Sequence, residues 1–352
     1  MIRLLRLVLL PFSMIYGIVV VLRNKLYDLG VFNSTQFDIP VICVGNLVVG
    51  GSGKSPVTEY LVALLKNRRI AILSRGYGRD TKGFLYADET ATAKSIGDEP
   101  LQFFHKFPGI TVAVCEDRVA GINQLKDTHD IILLDDAYQH RRLRPGFSIL
   151  LFEFQKLQTI QWLLPAGNLR EPFWGYKRAD ILMVTKAPVQ ISPGQRRVCL
   201  DKFNERAQQD LFFSSIQYGD LVNFFTKEPL ANHSLKNKTI FLLTGIANPK
   251  PLLSYLEQFS TAIIHHDYPD HHTFSSQNLI KLVDAFKAHP EKEKIILTTE
   301  KDAQRLFDVT IKELLLNLPV FYLPIKIAVE ADRKKEFDQK ILKYVSDTTR
   351  NR

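Results

Sequence analysis

Lys54 and Ser55 close a glycine-rich stretch, Gly50-Gly51-Ser52-Gly53, that follows the apolar run Val41-Ile42-Cys43-Val44. Glycines let backbone N–H groups converge on phosphate oxygens, a lysine supplies a point charge, and a serine hydroxyl can hold Mg²⁺. A helix-compatible segment over 59–66 follows, so the layout is that of a phosphate-binding loop between strand and helix. The spacing departs from the usual motif: Val48 stands where the first glycine is expected, and the extra glycines fall at Gly50 and Gly51. A second apolar run, Ile131-Ile132-Leu133-Leu134, ends in Asp135-Asp136, the position at which such enzymes place a carboxylate beside the loop to hold Mg²⁺. Together the segments point to a protein that handles a nucleoside triphosphate.

Further groups sit where strands are expected to end. Ser74-Arg75-Gly76-Tyr77-Gly78 places Arg75 and Tyr77 between glycines, suited to close contact with phosphate or sugar. Gly97-Asp98-Glu99-Pro100 sets two acids before a helix; Asp98 reads either as an N-cap with Gln102 or as the carboxylate that takes a proton from an attacking hydroxyl. Past Asp136 come Gln139, His140 and two arginines, and Leu164 to Pro172 forms a proline-bounded loop carrying Arg170 and Glu171. His265-His266-Asp267 and Asp270-His271-His272 look like a metal cluster, but their spacing matches no standard zinc pattern; a histidine assisting a carboxylate base is the better reading. Thr299-Glu300-Lys301-Asp302 follows another strand end and shapes the same cleft. Thr185-Lys186-Ala187-Pro188 lacks the aspartate that reads guanine, which leaves ATP as the expected nucleotide.

The elements that must position these groups alternate. Strands are expected at 70–73, 111–114, 131–134, 148–152 and 180–184, with helices at 99–106 and 118–125, a pattern of a mostly parallel α/β sheet. Residues 211–218 and 221–225, separated by Gly219-Asp220, read as a two-stranded connector. A second α/β pattern follows, with strands at 239–243, 262–265 and 294–299 and helices at 250–259 and 277–288. The expected division is 1–35, an N-terminal membrane-associated helix; 36–210, a phosphate-loop kinase domain; 211–238, the connector; and 239–352, a smaller C-terminal lobe. A cleft between the lobes is the natural site.

At 352 residues the chain has room for two domains, and its net charge of +9 suggests an anionic partner. Basic residues are interleaved with acids, so no nucleic-acid stripe emerges, and no required protein partner is evident. Cys43, Cys115 and Cys199 lie far apart and form neither a disulfide framework nor a metal spacing. The run 7–22 is apolar except for Pro11, Ser13, Tyr16 and Gly17; Arg3 and Arg6 precede it and Arg23 and Lys25 follow. It falls short of the ~20 apolar residues that span a bilayer comfortably, and reads as a helix seated in a membrane surface. The other reading is a buried core helix.

Taken in order, these strings resemble the tetraacyldisaccharide 4′-kinases, the lipid A 4′-kinases of Gram-negative bacteria. The resemblance is carried by Gly50 to Pro56, Ser74 to Gly78, Gly97 to Pro100, Asp135 to His140, Leu164 to Pro172, Asp270 to His272 and Thr299 to Asp302. Ala137-Tyr138 and Asn168 are mild departures from that family's pattern. The resemblance implies transfer of the ATP γ-phosphate to the 4′-hydroxyl of a lipid A disaccharide precursor at the cytoplasmic face of the inner membrane. It also implies Asp98 as catalytic base supported by His271, and Lys54 and Ser55 on phosphate and Mg²⁺. Glu99, Asp135 and Asp136 would organise the metal, and Arg118, Gln139 and Arg170 would meet phosphate or substrate. Two rival classes remain: a metallochaperone-like GTPase, disfavoured by Pro188, and a nucleic-acid-binding ATPase, suggested by charge alone.

Overall fold

Apolar runs with no alternation are strands buried on both faces, and that burial is supplied by helices on either side of a parallel sheet. The computed structural model describes residues 6, 8–203, 210–260, 262–307 and 309–350. Its first sheet contains β1 (Val41–Asn46), β2 (Ile70–Ser74), β3 (Leu85–Tyr86), β4 (Thr111–Val114), β5 (Ile131–Asp135), β6 (Phe147–Glu153), β7 (Ile181–Thr185) and β8 (Leu211–Tyr218). Every residue of β1, β2, β5 and β7 is buried. The order β8-β7-β6-β1-β5-β2-β4 is parallel throughout, and the short β3 runs antiparallel along the β4 edge. β1 lies between β5 and β6, and its register sets Val44 opposite Asp135. The glycine-rich loop after β1 and the acids after β5 therefore leave the same carboxyl edge, where open α/β sheets bind ligands.

The helices that carry site residues in this half are α1 (Leu10–Asp28), α2 (Lys54–Leu64), α3 (Asp98–Lys106) and α4 (Arg118–Leu125). α2 begins at Lys54, five residues before the expected start at Glu59. Gly53, at φ 85°, turns the chain into the helix, and Pro56 in the first turn has no helical N–H bond to lose. The second sheet has the order β10 (Pro229–Leu230), β9 (Leu221–Asn223), β14 (Val320–Leu323), β13 (Lys294–Thr299), β11 (Thr239–Thr244), β12 (Ile263–Asp267). It carries α5 (Lys250–Leu256), α6 (Ser276–Ala288) and α7 (Glu300–Arg305).

The joint between the lobes differs from the sequence expectation. A two-stranded antiparallel connector is present, but the partner of β8 is β15 (Ile325–Val329), with Tyr218 opposite Ile325 and Ser214 opposite Val329. β9 pairs instead with β10 and β14 in the second sheet. Gly219-Asp220 is thus a crossing between lobes, not a hairpin turn. Gly219 N donates to Pro324 O at 2.9 Å, and Asn232 pins both sides, accepting from Leu221 N and donating to Gly219 O. Burial explains the outcome: Leu211, Phe212 and Phe213 fill the first core, whereas Leu221 packs with Leu235, Ile240 and Leu242 in the second. The boundary at 239–352 is corrected for the same reason. After β15 the chain forms α8 (Ala331–Arg350), whose Phe337, Ile341 and Val345 pack with Val57, Leu61 and Phe212 of the first lobe. Tyr344 Oη also receives the N–H of Val41 at 3.0 Å.

α1 is not a core helix. Ser13 and Gly17 are buried against the segment 163–171, while Phe12, Met14, Ile15, Ile18, Val19 and Leu22 face outward and are exposed. Ser13 Oγ donates to Leu163 O at 3.1 Å and accepts from Ala166 N at 2.9 Å; Tyr16 Oη donates to Arg170 O at 2.7 Å. The helix is docked mainly by its polar and small residues, with Val20 also buried, and presents most of its apolar side chains outward. Among the described residues no helix is long and apolar enough to cross a membrane.

If the last helix completes the first core, Phe337→Ala will lower stability by ~3–5 kcal/mol in denaturant unfolding. A loss below about 1 kcal/mol would show that α8 is a dispensable tail.

Candidate active site

The glycine-rich loop is held in shape by groups from two strand ends. Asn46, the last residue of β1, donates to Ser52 Oγ at 2.7 Å. Thr185 Oγ1, ending β7, donates to Ser52 O at 2.7 Å, and Lys186 Nζ donates to Gly51 O at 2.6 Å. Gly50 and Gly53 both take positive φ, at 106° and 85°, which side-chain-bearing residues rarely adopt. The Thr185-Lys186 segment, which a GTPase would use to read its base, here braces the phosphate loop. Lys54 and Ser55 open α2, so the helix N-terminus points its free N–H groups into the same space.

Opposite the loop, Asp135 ends β5 and Asp136 follows at φ 53°, a left-handed conformation unusual outside glycine. Asp136 accepts from Arg170 Nη1 at 2.9 and 3.0 Å and lies 3.7 Å from Lys54 Nζ. Burial raises its carboxyl, but Lys54 and Arg170 outweigh that and hold it below the usual range. Asp135 behaves oppposite in sign: burial pushes it up to about 7 against the pull of Lys54, and Asp136 and Glu99 add to the rise. Its Oδ1 is buried with no partner, and Ser74 Oγ reaches Oδ2 only at 3.4 Å. An orphaned carboxylate oxygen beside Lys54 and the loop fits a divalent cation. Ser55, Asp135 and Asp136, with Glu99 nearby, are the residues present to hold one. Among the described residues no group of three His, Cys, Asp or Glu stands close enough to hold a metal ion without other ligands.

Arg118 is buried at the start of α4. It donates to Glu116 O at 2.9 Å and Asp136 O at 3.2 Å, and its Nε has no partner. Burial, then the neighbouring Arg75, lowers its affinity for the proton, so an anion there would be stabilised. Gln139 donates to Asn46 O at 2.8 Å and Glu171 at 3.1 Å, which ties the Asp135 segment to the loop. Arg75 and Tyr77 are exposed at the rim, with the Tyr77 ring edge-on to His271 at 5.9 Å.

The second lobe meets this edge through α7. Asp98 is not an N-cap: Gly97 holds that position, and Asp98 begins α3 with its side chain turned to the other lobe. Its Oδ2 accepts from Arg305 Nη2 at 2.6 Å and Nε at 2.9 Å, and lies 3.0 Å from His271 Nδ1. Burial raises the carboxyl, but the His271 and Arg305 bonds prevail and depress it to about 2. Lys301 Nζ is 3.0 Å from His271 Nε2 and 3.2 Å from Glu99. His271 thus bridges Asp98 through Nδ1 and Lys301 through Nε2. His271 itself sits at φ 59° with its N–H on Gly245 O, whereas His272 stacks on Tyr268 and bonds Asn278. Of the two adjacent histidines, then, His271 is the one that meets Asp98. The remaining histidines disperse; His265 bonds Thr244.

Thr299-Glu300-Lys301-Asp302 works as a helix start. Thr299 caps α7 by accepting from Asp302 N, and the buried Asp302 carboxylate accepts from Gly245 N at 3.1 Å and Arg305 Nη1 at 2.8 Å. Lower on the same interface, Lys106 Nζ lies 2.7 Å from both Glu59 of α2 and Glu300 of α7. Burial pushes the Glu59 carboxyl up against the pull of Lys106. Sequence reading missed Arg305, Lys106 and Glu59. Arg305 stands four residues after Lys301, one helical turn along a segment already singled out, and that spacing was the available signal. Nothing local marks Glu59 or Lys106.

The family model described as Tetraacyldisaccharide-1-P 4'-kinase matches residues 5–346. The tetraacyldisaccharide 4'-kinase of Bacteroides thetaiotaomicron is 43% identical over 97% of this chain and 93% of that protein. The one from Flavobacterium psychrophilum is 43% identical over 99% of each. Among solved structures, LpxK from Aquifex aeolicus in complex with ATP superposes with a TM-score of 0.75 at 31% identity, covering 97% of this chain and 99% of that one.

Lys106→Met, which strips the counter-charge from two buried carboxylates, should destabilise the protein by ~3–5 kcal/mol in thermal or denaturant unfolding. An unchanged midpoint would show that the cluster bears no load between the lobes.

Proposed function

The chain belongs to the tetraacyldisaccharide-1-P 4'-kinase family, and from that premise we propose that it transfers the γ-phosphate of ATP to the 4′-hydroxyl of a tetraacyldisaccharide 1-phosphate, a step in lipid A synthesis. The observation that carries the reading is convergence. Lys54 and the glycine-rich loop, the Asp135-Asp136 strand end and the Asp98–His271 pair all meet at one sheet edge, where burial, with Lys54, Asp136 and Glu99 around it, sets the charge state of Asp135.

In this reading the loop 50–55 and Lys54 cradle the ATP phosphates. Ser55 and Asp135, with Asp136 and Glu99 around them, would hold Mg²⁺, which would supply charge to offset the phosphate oxygens. Arg170 and Arg118 add positive charge on the acceptor side. The acceptor oxygen attacks the γ-phosphorus, the bond from that phosphorus to the bridging oxygen of ADP breaks, and the hydroxyl proton goes to Asp98. All three bonds described for Asp98 fall on Oδ2, which leaves Oδ1 to receive the hydroxyl. His271 has its Nε2 engaged by Lys301, so it orients Asp98 and does not itself face the acceptor. A carboxyl near 2 is a weak base, and that suffices here. Phosphoryl transfer passes through a loose transition state that demands little proton abstraction before the new bond forms, so alignment is the main contribution.

The acceptor is a lipid, and α1 suits it: an outward apolar face flanked by Arg23 and Lys25 seats the protein peripherally on the cytoplasmic face of the inner membrane.

Transfer of labelled γ-phosphate from Mg-ATP to tetraacyldisaccharide 1-phosphate in mixed micelles tests the activity. Label should appear on the lipid and be lost with Lys54→Ala; nucleotide binding with no transfer would refute it. Asp98→Asn should cut kcat by ~10²–10⁴ with KM for ATP little changed. Near-normal turnover of the folded variant would remove Asp98 from its role.

A further inference from the structure

The chain has two tryptophans, Trp162 and Trp174, and both are exposed, at 46% and 60%. A large indole left in water forgoes the burial that its area would otherwise gain, and at membrane surfaces this side chain is enriched because one end is apolar and the other wet. The two are not scattered. They flank the segment 163–171, against which α1 is docked. Trp162 precedes Leu163, whose carbonyl accepts from Ser13, and whose Cδ1 would stand 2.8 Å from a Cβ placed on Gly17. Trp174 follows closely on Glu171, which accepts from Asn24 Nδ2 at 3.1 Å. Trp162 thus adjoins in sequence the residue that meets the early turns of α1, and Trp174 follows by three residues the one that meets its later turns.

Their neighbours extend the pattern. Ile160, two residues before Trp162, is 77% exposed, and Lys177 lies exposed three residues after Trp174. The carboxylates in this region are neutralised within the protein: Asp28 pairs with Arg141 and Glu171 with Arg178. Lys25 and Lys177 remain exposed. An apolar and aromatic surface with basic residues and internally matched acids is complementary to an anionic lipid surface.

We propose that Ile160, Trp162 and Trp174, with Lys177, continue the lipid-contacting surface of α1, so that the enzyme rests on an anionic phospholipid surface along a band reaching the phosphate loop. The proposal rests on the reading of α1 as a membrane seat and adds a second, loop-borne contact to it. The band reaches the chemistry through two backbone bonds: Arg170 N donates to Leu47 O and Val49 N to Asn168 O, both at 2.8 Å. The segment that carries α1 and Trp162 is thereby paired with the start of the glycine-rich loop. A lipid acceptor whose chains stay in the bilayer is then delivered with its sugar at the mouth of the nucleotide site.

The chain's own composition provides the test. Trp174→Phe and Trp162→Phe each leave one tryptophan in the full-length protein. Each variant is mixed with vesicles of phosphatidylethanolamine and phosphatidylglycerol, with or without bromine on the acyl chains, and co-flotation is measured on the same samples. Both variants should float, shift their emission to shorter wavelength, and lose intensity on brominated vesicles relative to unbrominated ones. Flotation with emission unchanged for either tryptophan overturns the proposed band while leaving α1 as the seat, and would mark the exposed indoles as a site for another protein. Failure of both variants and the parent protein to float overturns the membrane reading itself, and the band with it.

Discussion

A buried carboxylate, Asp98, bridges the two lobes of this protein. Asp98 belongs to the first lobe, is largely buried, and finds its partners, Arg305 and His271, in the second. A charge removed from water is tolerable only with a close counter-charge and hydrogen bonds to satisfy it. The geometry that stabilises Asp98 is therefore available only when the lobes are together. Below it on the same interface, Lys106 between Glu59 and Glu300 repeats the arrangement with signs exchanged, and Glu59 lies on the helix that begins at Lys54. The phosphate loop, its helix and the far lobe are in this way electrostatically continuous.

The segment 163–171 is a second joint. Its backbone pairs with the residues after β1, its Arg170 holds Asp136, and its outer side carries α1 through Ser13, Tyr16 and Asn24. An apolar helix attached by its few polar and small residues inverts the usual arrangement of a surface helix. The inversion makes sense where the outward side meets lipid rather than water.

The site holds strained backbone. Asp136 and His271 both hold left-handed backbone without being glycine. Each is pinned by its surroundings, Asp136 N on Val44 O and His271 N on Gly245 O, and each places its side chain toward the sheet edge. Such conformations cost on the order of 1–3 kcal/mol and persist only where neighbouring bonds over-determine them.

Local pattern sufficed for the strands, the phosphate loop and the strand-end acids, because glycine conformations, apolar runs and the residue types that bind phosphate act over a few positions. It sufficed as well for the pairing of Asp98 with a histidine, through resemblance to a family. What it misjudged was long-range. Gly219-Asp220 has hairpin chemistry, yet β8 takes β15 as its partner, because the edge of the first sheet and the core beneath it are completed by the last part of the chain. Lys106 and Glu59 were invisible for the same reason: a lysine on a short amphipathic helix is ordinary until folding removes its partner from water. Sequence alone determined which chemistry this protein carries; the tertiary structure decided which charges must find each other, since desolvation exists only once the lobes have met.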